Sequence, residues 1–262
     1  MRQLIIEKNQ DKNGLVIIDG KDFHYLRQVL RVKAGDMVKL RLSDRELYNS
    51  TVAKIDDSAK KITLQICAET QTPVIENVTP QSTASEYTLF QFIPKPQKLE
   101  LIVRQATECG VKNIVPVISE YAEKGSIAAL AGGKKERLER IVREARQQSG
   151  SPVDTTIFDP VTVEQAIEIW NKIKEQADGD AEGYVLSERT VERPLRQAQG
   201  LQTGPKAVCI VCGNEGGISP DELELLTKKA LLYPVHFSVN ILRCETAALY
   251  GLAAVQTAIT GF

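Results

Sequence analysis

Histidine is nearly absent from this sequence: His24 and His236 are the only two in 262 residues. Cysteine is scarce and odd in number, at Cys67, Cys109, Cys209, Cys212 and Cys244, which argues against a disulfide framework in a chain of this length. No stretch approaches the roughly 18 consecutive apolar residues that a membrane span needs. The opening Met1-Arg-Gln-Leu-Ile-Ile-Glu-Lys8 has neither a long apolar region nor a small-residue cleavage site. No secretory signal is expected, therefore, and a cytoplasmic location is. No Gly-Lys-Ser/Thr follows a glycine-rich loop, and no G-x-G-x-x-G spacing occurs at the one glycine-rich turn, so neither a phosphate loop nor a dinucleotide fingerprint is present there. Net charge is almost absent too, at −1. It is unevenly placed: residues 1–68 hold 13 Lys/Arg against 9 Asp/Glu, a net of +4, and the remainder holds 20 against 25, a net of −5. The N-terminal part is the better contact for a polyanion.

What is present centres on Ala207-Val-Cys-Ile-Val-Cys-Gly-Asn-Glu-Gly-Gly-Ile-Ser219. Ala207 to Cys212 reads as a strand buried on both faces, bounded by Gly204-Pro205 and Gly213. Gly213, Gly216 and Gly217 allow a sharp turn and a close ligand. Ser219, Pro220 and Glu222 then form a capping box with proline at the first helical position. Strand, glycine turn and helix N-terminus in that order make a ligand cradle. A plain tight turn has the same sequence, and both readings stand at this point. Glu215 would repel a pyrophosphate and suits a ligand bearing hydroxyls or positive charge. Cys209 and Cys212 form a C-x-x-C that invites a zinc or redox reading. They lie inside an apolar run with no second pair, so buried small side chains fit better.

Residues 1–70 read as a small β-barrel. Short strands are expected at Leu4-Ile-Ile, Leu15–Ile18, Met37–Leu42, Tyr48–Ile55 and Lys61–Ile66. A helix over Asp22–Leu30 would bury Phe23, Leu26 and Leu30. It would also set His24, Arg27, Gln28 and Arg31 on one face, either solvated or touching phosphates. Residues 71–85 are polar with two prolines and read as a linker. From Glu86 to residue 262 strands and helices alternate, which predicts an α/β domain with a parallel sheet. Strands are expected at Tyr87–Ile93, Ile114–Ile118, Thr155–Phe158, Tyr184–Leu186 running to Ser187-Glu-Arg-Thr190, and near Tyr233–Phe237. Helices are expected from Pro96 to before Gly110, over about Lys134–Gln148, Val163–Gln176 and Cys244–Ile259. The last has no charge from Ala247 to Val255, which predicts burial in a core or between subunits.

Several motifs in one order resemble the RsmE family, the bacterial ribosomal RNA uridine N3-methyltransferases. They are Phe23-His24-Tyr-Leu-Arg-Gln-Val-Leu-Arg31 followed by Gly35-Asp36, Lys95, Glu144-Ala-Arg-Gln-Gln-Ser-Gly150, Gly213-x-Glu-Gly-Gly217 and Ile241-Leu-Arg-x-Glu-Thr-Ala247. The resemblance covers both halves of the chain. It implies a SPOUT methyltransferase domain with a C-terminal trefoil knot, an exception to unknotted topology, behind a PUA-like barrel. It implies S-adenosylmethionine as cofactor, a homodimer, and a uridine of small-subunit (16S) ribosomal RNA, within an assembled subunit, as target. The expected cofactor residues are Leu186 and Ser187, then Gly213, Asn214, Glu215, Gly216 and Ile218, then Ile241, Leu242, Arg243 and Thr246. Arg243 and Glu215 are the expected catalytic residues. Uridine N3 must lose its proton for attack on the methyl carbon, and Arg243 is suited to stabilise the anionic ring. An ion pair between Arg243 and Glu245 is the plain alternative. His24, Arg27, Arg31 and Lys95 are the expected RNA contacts. The chain departs from the family pattern at Asn214 for proline, Ser151 for arginine, Phe237-Ser-Val-Asn240 for Leu-Gly-x-Arg, and Gln105 and Cys109 for lysine and leucine. These departures keep open a non-catalytic or divergent RNA-binding protein with a different RNA target.

Overall fold

The computed structural model describes residues 3–67, 85–130, 135–187 and 204–260. Apart from Ser85, the expected linker lies outside these residues, as do Glu188 to Thr190. Two compact units divide the chain.

The first comprises residues up to 67 together with Gln147–Pro152. Five strands form one sheet in the order β1-β3-β4-β5-β2: β1 (Leu4–Ile5), β2 (Leu15–Ile18), β3 (Met37–Arg41), β4 (Leu47–Asp56) and β5 (Lys61–Ile66). β1 pairs with β3 in parallel and the other pairings are antiparallel. Alternation with period two explains the core: Val16 and Ile18, Val38 and Leu40, Ile62 and Leu64 all point inward. The Gln3 backbone N–H donates to the Gln147 carbonyl, and the Gln3 side-chain amide donates to the Ser151 carbonyl.

The helix expected over Asp22–Leu30 is not regular. α1 (Gly20–His24) continues as a π-helical turn over Tyr25–Val29. The Leu30 N–H reaches back five residues to the Tyr25 carbonyl. This widening breaks the i, i+3, i+4, i+7 stacking on which a single basic face depends. Arg31 has left the helix altogether, with φ of 54°. Phe23 and Leu26 are still buried, so the core contacts are met while the polar register is not.

In the second unit seven strands form a fully parallel sheet: β6 (Glu86–Phe92), β7 (Asn113–Ile118), β8 (Thr156–Ile157), β9 (Val161–Thr162), β10 (Ala181–Leu186), β11 (Ala207–Cys212) and β12 (Tyr233–Val235). The order is β12-β10-β11-β6-β7-β8, with β9 also on β7. Helices α2 (Pro96–Glu108), α3 (Lys124–Ala129), α4 (Lys135–Ser149) as far as Arg146, α5 (Val163–Gln176), α6 (Pro220–Lys228) and α7 (Cys244–Thr260) belong to this unit. β11 is buried along its whole length. Val208, Ile210 and Cys212 face one apolar cluster with residues of α2, α4 and α7. Ala207, Cys209 and Val211 face another with residues of α5 and α6. From β6 the sheet grows outward through β7, then the chain returns to the other side, so the order reverses between β6 and β11. In open α/β sheets ligands bind at such a reversal, beyond the carboxyl ends of the strands.

α7 buries Ala248, Leu252, Val255 and Ile259 in its own unit. Leu252 is 1% exposed. A Cβ on Gly251 would lie 2.4 Å from the Leu186 side chain, so Gly251 lets α7 approach the end of β10. The part of α7 that holds Leu252 is therefore core, not a seam between subunits. Its outer side carries the exposed Thr246, Tyr250 and Ala253, which are uncharged. Replacing Leu252 with alanine leaves a cavity in this core and should lower stability by about 2–5 kcal/mol. Urea unfolding reads this directly, and an unchanged midpoint would place Leu252 at a surface instead.

Candidate functional site

The turn after β11 is fixed from several sides. A Cβ on Gly213 would lie 2.8 Å from the Gly217 carbonyl carbon, and neither backbone can give way. Gly217 takes φ of 79°, in the left-handed region. The Asn214 side-chain oxygen accepts from the Gly216 N–H at 2.9 Å, and the Asn214 carbonyl accepts from the Gly217 N–H at 3.0 Å. The Asn214 amide donates to Ser119 Oγ at 3.0 Å and to the Ile93 carbonyl at 3.4 Å. One buried side chain thus shapes the turn and ties it to the ends of β6 and β7. Gln91 of β6 donates to the Gly213 carbonyl at 3.0 Å, so that acceptor is already engaged. Gly216 is close to protein on its Cβ side: a Cβ there would lie 2.7 Å from Cβ of Tyr121. Its glycine requirement comes from Tyr121 packing.

The capping box of α6 forms as the sequence implies. Ser219 Oγ accepts from the Glu222 N–H at 3.3 Å, and Glu222 Oε2 accepts from the Ser219 N–H at 3.0 Å. Glu222 Oε1 accepts from the Glu120 N–H at 2.8 Å. This helix N-terminus already holds a carboxylate, so an anionic ligand gains little there.

Two further segments meet the turn. At the end of β10, the Ser187 N–H donates to the Val235 carbonyl at 2.8 Å. His236 Nδ1 lies 3.2 Å from the Ser187 carbonyl. A carbonyl only accepts, so Nδ1 carries the proton in this contact. After β12 the chain runs through Phe237, whose ring meets Tyr250 edge-on at 4.9 Å, to Ile241, 82% exposed, and Arg243. The Arg243 carbonyl accepts from the Ala247 N–H and so opens α7. The three segments enclose a cavity of about 440 Å³.

Leu186, Ser187, Gly213, Asn214, Glu215, Gly216, Ile218, Ile241, Leu242 and Arg243 all line it. Thr246 does not: it is exposed on α7. Lys98, Tyr121, His236 and Phe237 also line the cavity and were not anticipated. Lys98 comes from α2 and Tyr121 from the turn between β7 and α3, neither of which carries a ligand motif in its sequence. His236 had one usable signal, as a rare histidine directly preceding the loop that opens α7.

Charge gathers beside the cavity around Lys98. Lys98 Nζ is 3.3 Å from Glu215 Oε1 and 3.4 Å from Glu245 Oε2. Glu215 Oε1 also accepts from the Lys95 N–H at 3.2 Å. Burial opposes the Lys98 charge, but Cys244, Glu215 and Glu245 outweigh it and hold the ammonium above the ordinary lysine value. Burial also opposes the Glu245 charge. Its own backbone N–H, the Cys244 thiol and Lys98 outweigh that and hold the carboxyl below the usual range. The Cys244 thiol, buried beside Glu245 and Glu215, is pushed up to about 12. Glu245 pairs with Lys98, and Arg243 has no ion-pair partner among the described residues.

Cys209 and Cys212 are buried, and burial pushes both thiols far up. Three apart on a strand, they face opposite sides of the sheet, in different clusters. That geometry disfavours one metal or one disulfide holding both. Of the expected RNA contacts, His24 and Arg31 are exposed in the first unit. Arg27 is paired to Asp57 through two hydrogen bonds, at 2.8 and 2.9 Å. Lys95 is exposed before α2, with its ammonium 3.5 Å from Glu123.

Comparison with known proteins shows the family and the fold. The family described as RNA methyltransferase domain matches residues 81–256, and the RNA methyltransferase PUA domain matches residues 18–67. The ribosomal RNA small subunit methyltransferase E of Rickettsia conorii is 30% identical over 239 residues, covering 89% of this chain and 85% of its own. The protein of that name from Aquifex aeolicus is 30% identical over 238 residues, covering 90% and 91%. Among solved structures, the ribosomal RNA small subunit methyltransferase E of Neisseria gonorrhoeae bound to S-adenosyl methionine has a similar fold. Its TM-score is 0.75 at 22% identity, over 98% of this chain and 97% of that one. The chain belongs to the RNA methyltransferase family.

Asn214 gives the turn a direct stability test. Asn214→Ala leaves the Gly216 N–H and the Ser119 and Ile93 oxygens without this partner and should cost about 1–3 kcal/mol. Thermal unfolding of the variant measures it, and an unchanged midpoint would mean that the turn is held by its glycines alone.

Proposed function

We propose that this chain is an S-adenosylmethionine-dependent methyltransferase acting on N3 of a uridine in small-subunit (16S) ribosomal RNA. The observation that carries the reading is the cavity at the β6/β11 reversal, walled by three strand-end segments. Its volume lies within the range of small-molecule sites. The names of the relatives and the cofactor in the Neisseria structure support it.

The donor set fits the cofactor. Leu186, Phe237, Ile241 and Leu242 offer apolar contact to a purine. Glu215 has one oxygen engaged by Lys95 and Lys98, and Oε2 has no partner among the described residues. That oxygen is suited to ribose hydroxyls. The capped α6 helix end and the two carboxylates gathered on Lys98, Glu215 in the lining and Glu245 behind it, disfavour a phosphate ligand and suit a sulfonium. S-adenosylmethionine, when bound, supplies the electrophilic methyl group. This chain's residues do the rest. Glu215 orients the nucleoside, the apolar wall excludes water, and Arg243 stands ready for the negative charge on the uracil ring once N3 has lost its proton. An N–C bond then forms at N3 as the S–C bond breaks.

The division into a barrel over 1–70, a linker over 71–85 and a methyltransferase domain over 86–262 belongs to the same proposal, with barrel closure and a C-terminal trefoil knot. So do a homodimer, for which the uncharged outer side of α7 supplies a surface, and an assembled ribosomal subunit as substrate. A cytoplasmic location follows from that substrate.

The test pairs calorimetry against S-adenosylmethionine with mass spectrometry of nucleosides from small subunits and naked RNA treated with the enzyme. One cofactor per chain and a methyl group on uridine N3 are expected. Absence of cofactor binding would favour the non-catalytic RNA-binding alternative. Arg243→Ala should lower kcat by about 10²–10³-fold while leaving cofactor affinity within about threefold, as for loss of one group that stabilises developing charge. Full turnover in that variant would remove Arg243 from the chemistry.

The basic residues of the first unit separate in the same way. Arg31→Glu should weaken RNA binding and shallow its salt dependence by about one charge. Arg27→Ala should do much less, because Asp57 already neutralises Arg27. Filter binding across a salt series distinguishes them, and equal effects would mean that the Arg27–Asp57 pair opens on RNA.

A further inference from the structure

Lys98 joins three elements that are far apart in sequence. It lies in the first turn of α2, Glu215 in the turn after β11, and Glu245 in the first turn of α7. Its ammonium meets one oxygen of each carboxylate, at 3.3 and 3.4 Å. The engaged oxygens are held from a second side as well. Glu215 Oε1 accepts from the Lys95 N–H, and Glu245 Oε2 accepts from the Cys244 thiol at 3.3 Å. Lys98 is also the one α2 residue that lines the cavity among those described. Without it, two carboxylates would face each other with no cation between them, and the turn and α7 would be pushed apart.

We propose that Lys98 is a positioning residue of the methyl-transfer site. It holds Glu215 with Oε2 turned to the nucleoside, and it holds the start of α7 so that Arg243, two residues before Glu245, stays at the cavity. This rests on the methyltransferase reading above. The pairs are partly exposed, with side-chain exposures of 26% for Lys98, 33% for Glu215 and 16% for Glu245. Such ion pairs contribute little to global stability. Small errors of placement, by contrast, cost about 100-fold in rate. The role predicts a large effect on turnover and a small one on unfolding, which a purely structural lysine would not give.

The experiment uses the full chain with Lys98→Met, Lys98→Arg, Glu215→Gln and the Lys98→Met/Glu215→Gln double variant. It measures S-adenosylmethionine affinity by calorimetry, kcat and KM on small subunits, and the unfolding midpoint. Lys98→Met should weaken cofactor affinity about tenfold and lower kcat about 100-fold with an unchanged midpoint. Lys98→Arg should recover most of both. The double variant should lose little more affinity than the worse single, because both changes act through the same contact. Wild-type affinity and turnover in Lys98→Met would overturn the proposal while leaving the methyltransferase reading intact. Equal losses in the Met and Arg variants with a lowered midpoint would overturn it in favour of a structural role. A wild-type chain that binds no cofactor would overturn both.

Discussion

The site depends on one steric constraint: Gly213 and Gly217 touch backbone to backbone. A side chain at Gly213 would meet the Gly217 carbonyl carbon at 2.8 Å. Only with that contact closed does the chain leave β11 and enter α6 within so few residues. β11 can place this turn beside the sheet's reversal because it is buried on both faces, with Val208, Ile210 and Cys212 against one helix layer and Cys209 and Val211 against the other. The turn then receives its shape from Asn214 and its orientation from Gln91, both polar and both buried. Asn214, whose amide and oxygen both have their partners in place, specifies one arrangement, which a ligand site needs more than it needs extra stability.

Charge around the turn is arranged by the protein before any ligand arrives. Glu222 occupies the α6 N-terminus, where a phosphate would otherwise bind. Glu215 and Glu245 share Lys98, a cluster beside the cavity that is net acidic by one charge, while Arg243 has no salt-bridge partner among the described residues. A cationic cofactor and a substrate that becomes anionic during reaction match these two surfaces. The same distribution explains why glycine-rich phosphate binding is a poor description of this turn despite its strand–glycine–helix order.

Much of the fold was legible because it rests on local rules. Val/Ile/Leu-rich runs between turn signals marked the short strands of the first unit, and the Ser219–Glu222 capping box and α5 (Val163–Gln176) follow from local sequence alone. The three strand-end loops were legible through motifs, and ten of the eleven expected cofactor residues line one cavity. What was missed is non-local. Lys98 reaches the cavity from a helix that shows only ordinary amphipathic patterning, and Tyr121 from the turn between β7 and α3. The π-helical turn at Tyr25–Val29 defeats a face drawn at 3.6 residues per turn, since one wider turn shifts every later side chain. The uncharged stretch from Ala247 to Val255 left burial in its own unit and a seam both open, Leu252 included. Gly251 against Leu186 decides for the former around that residue.

Hydrogen exchange read by mass spectrometry, on the full chain with and without S-adenosylmethionine, tests the central claim most directly. The account predicts slowed exchange in three separated stretches together, around residues 186–187, 213–218 and 236–243, with the α5 side of the sheet unaffected. Protection confined to one stretch, or appearing away from all three, would contradict a single site built by their convergence.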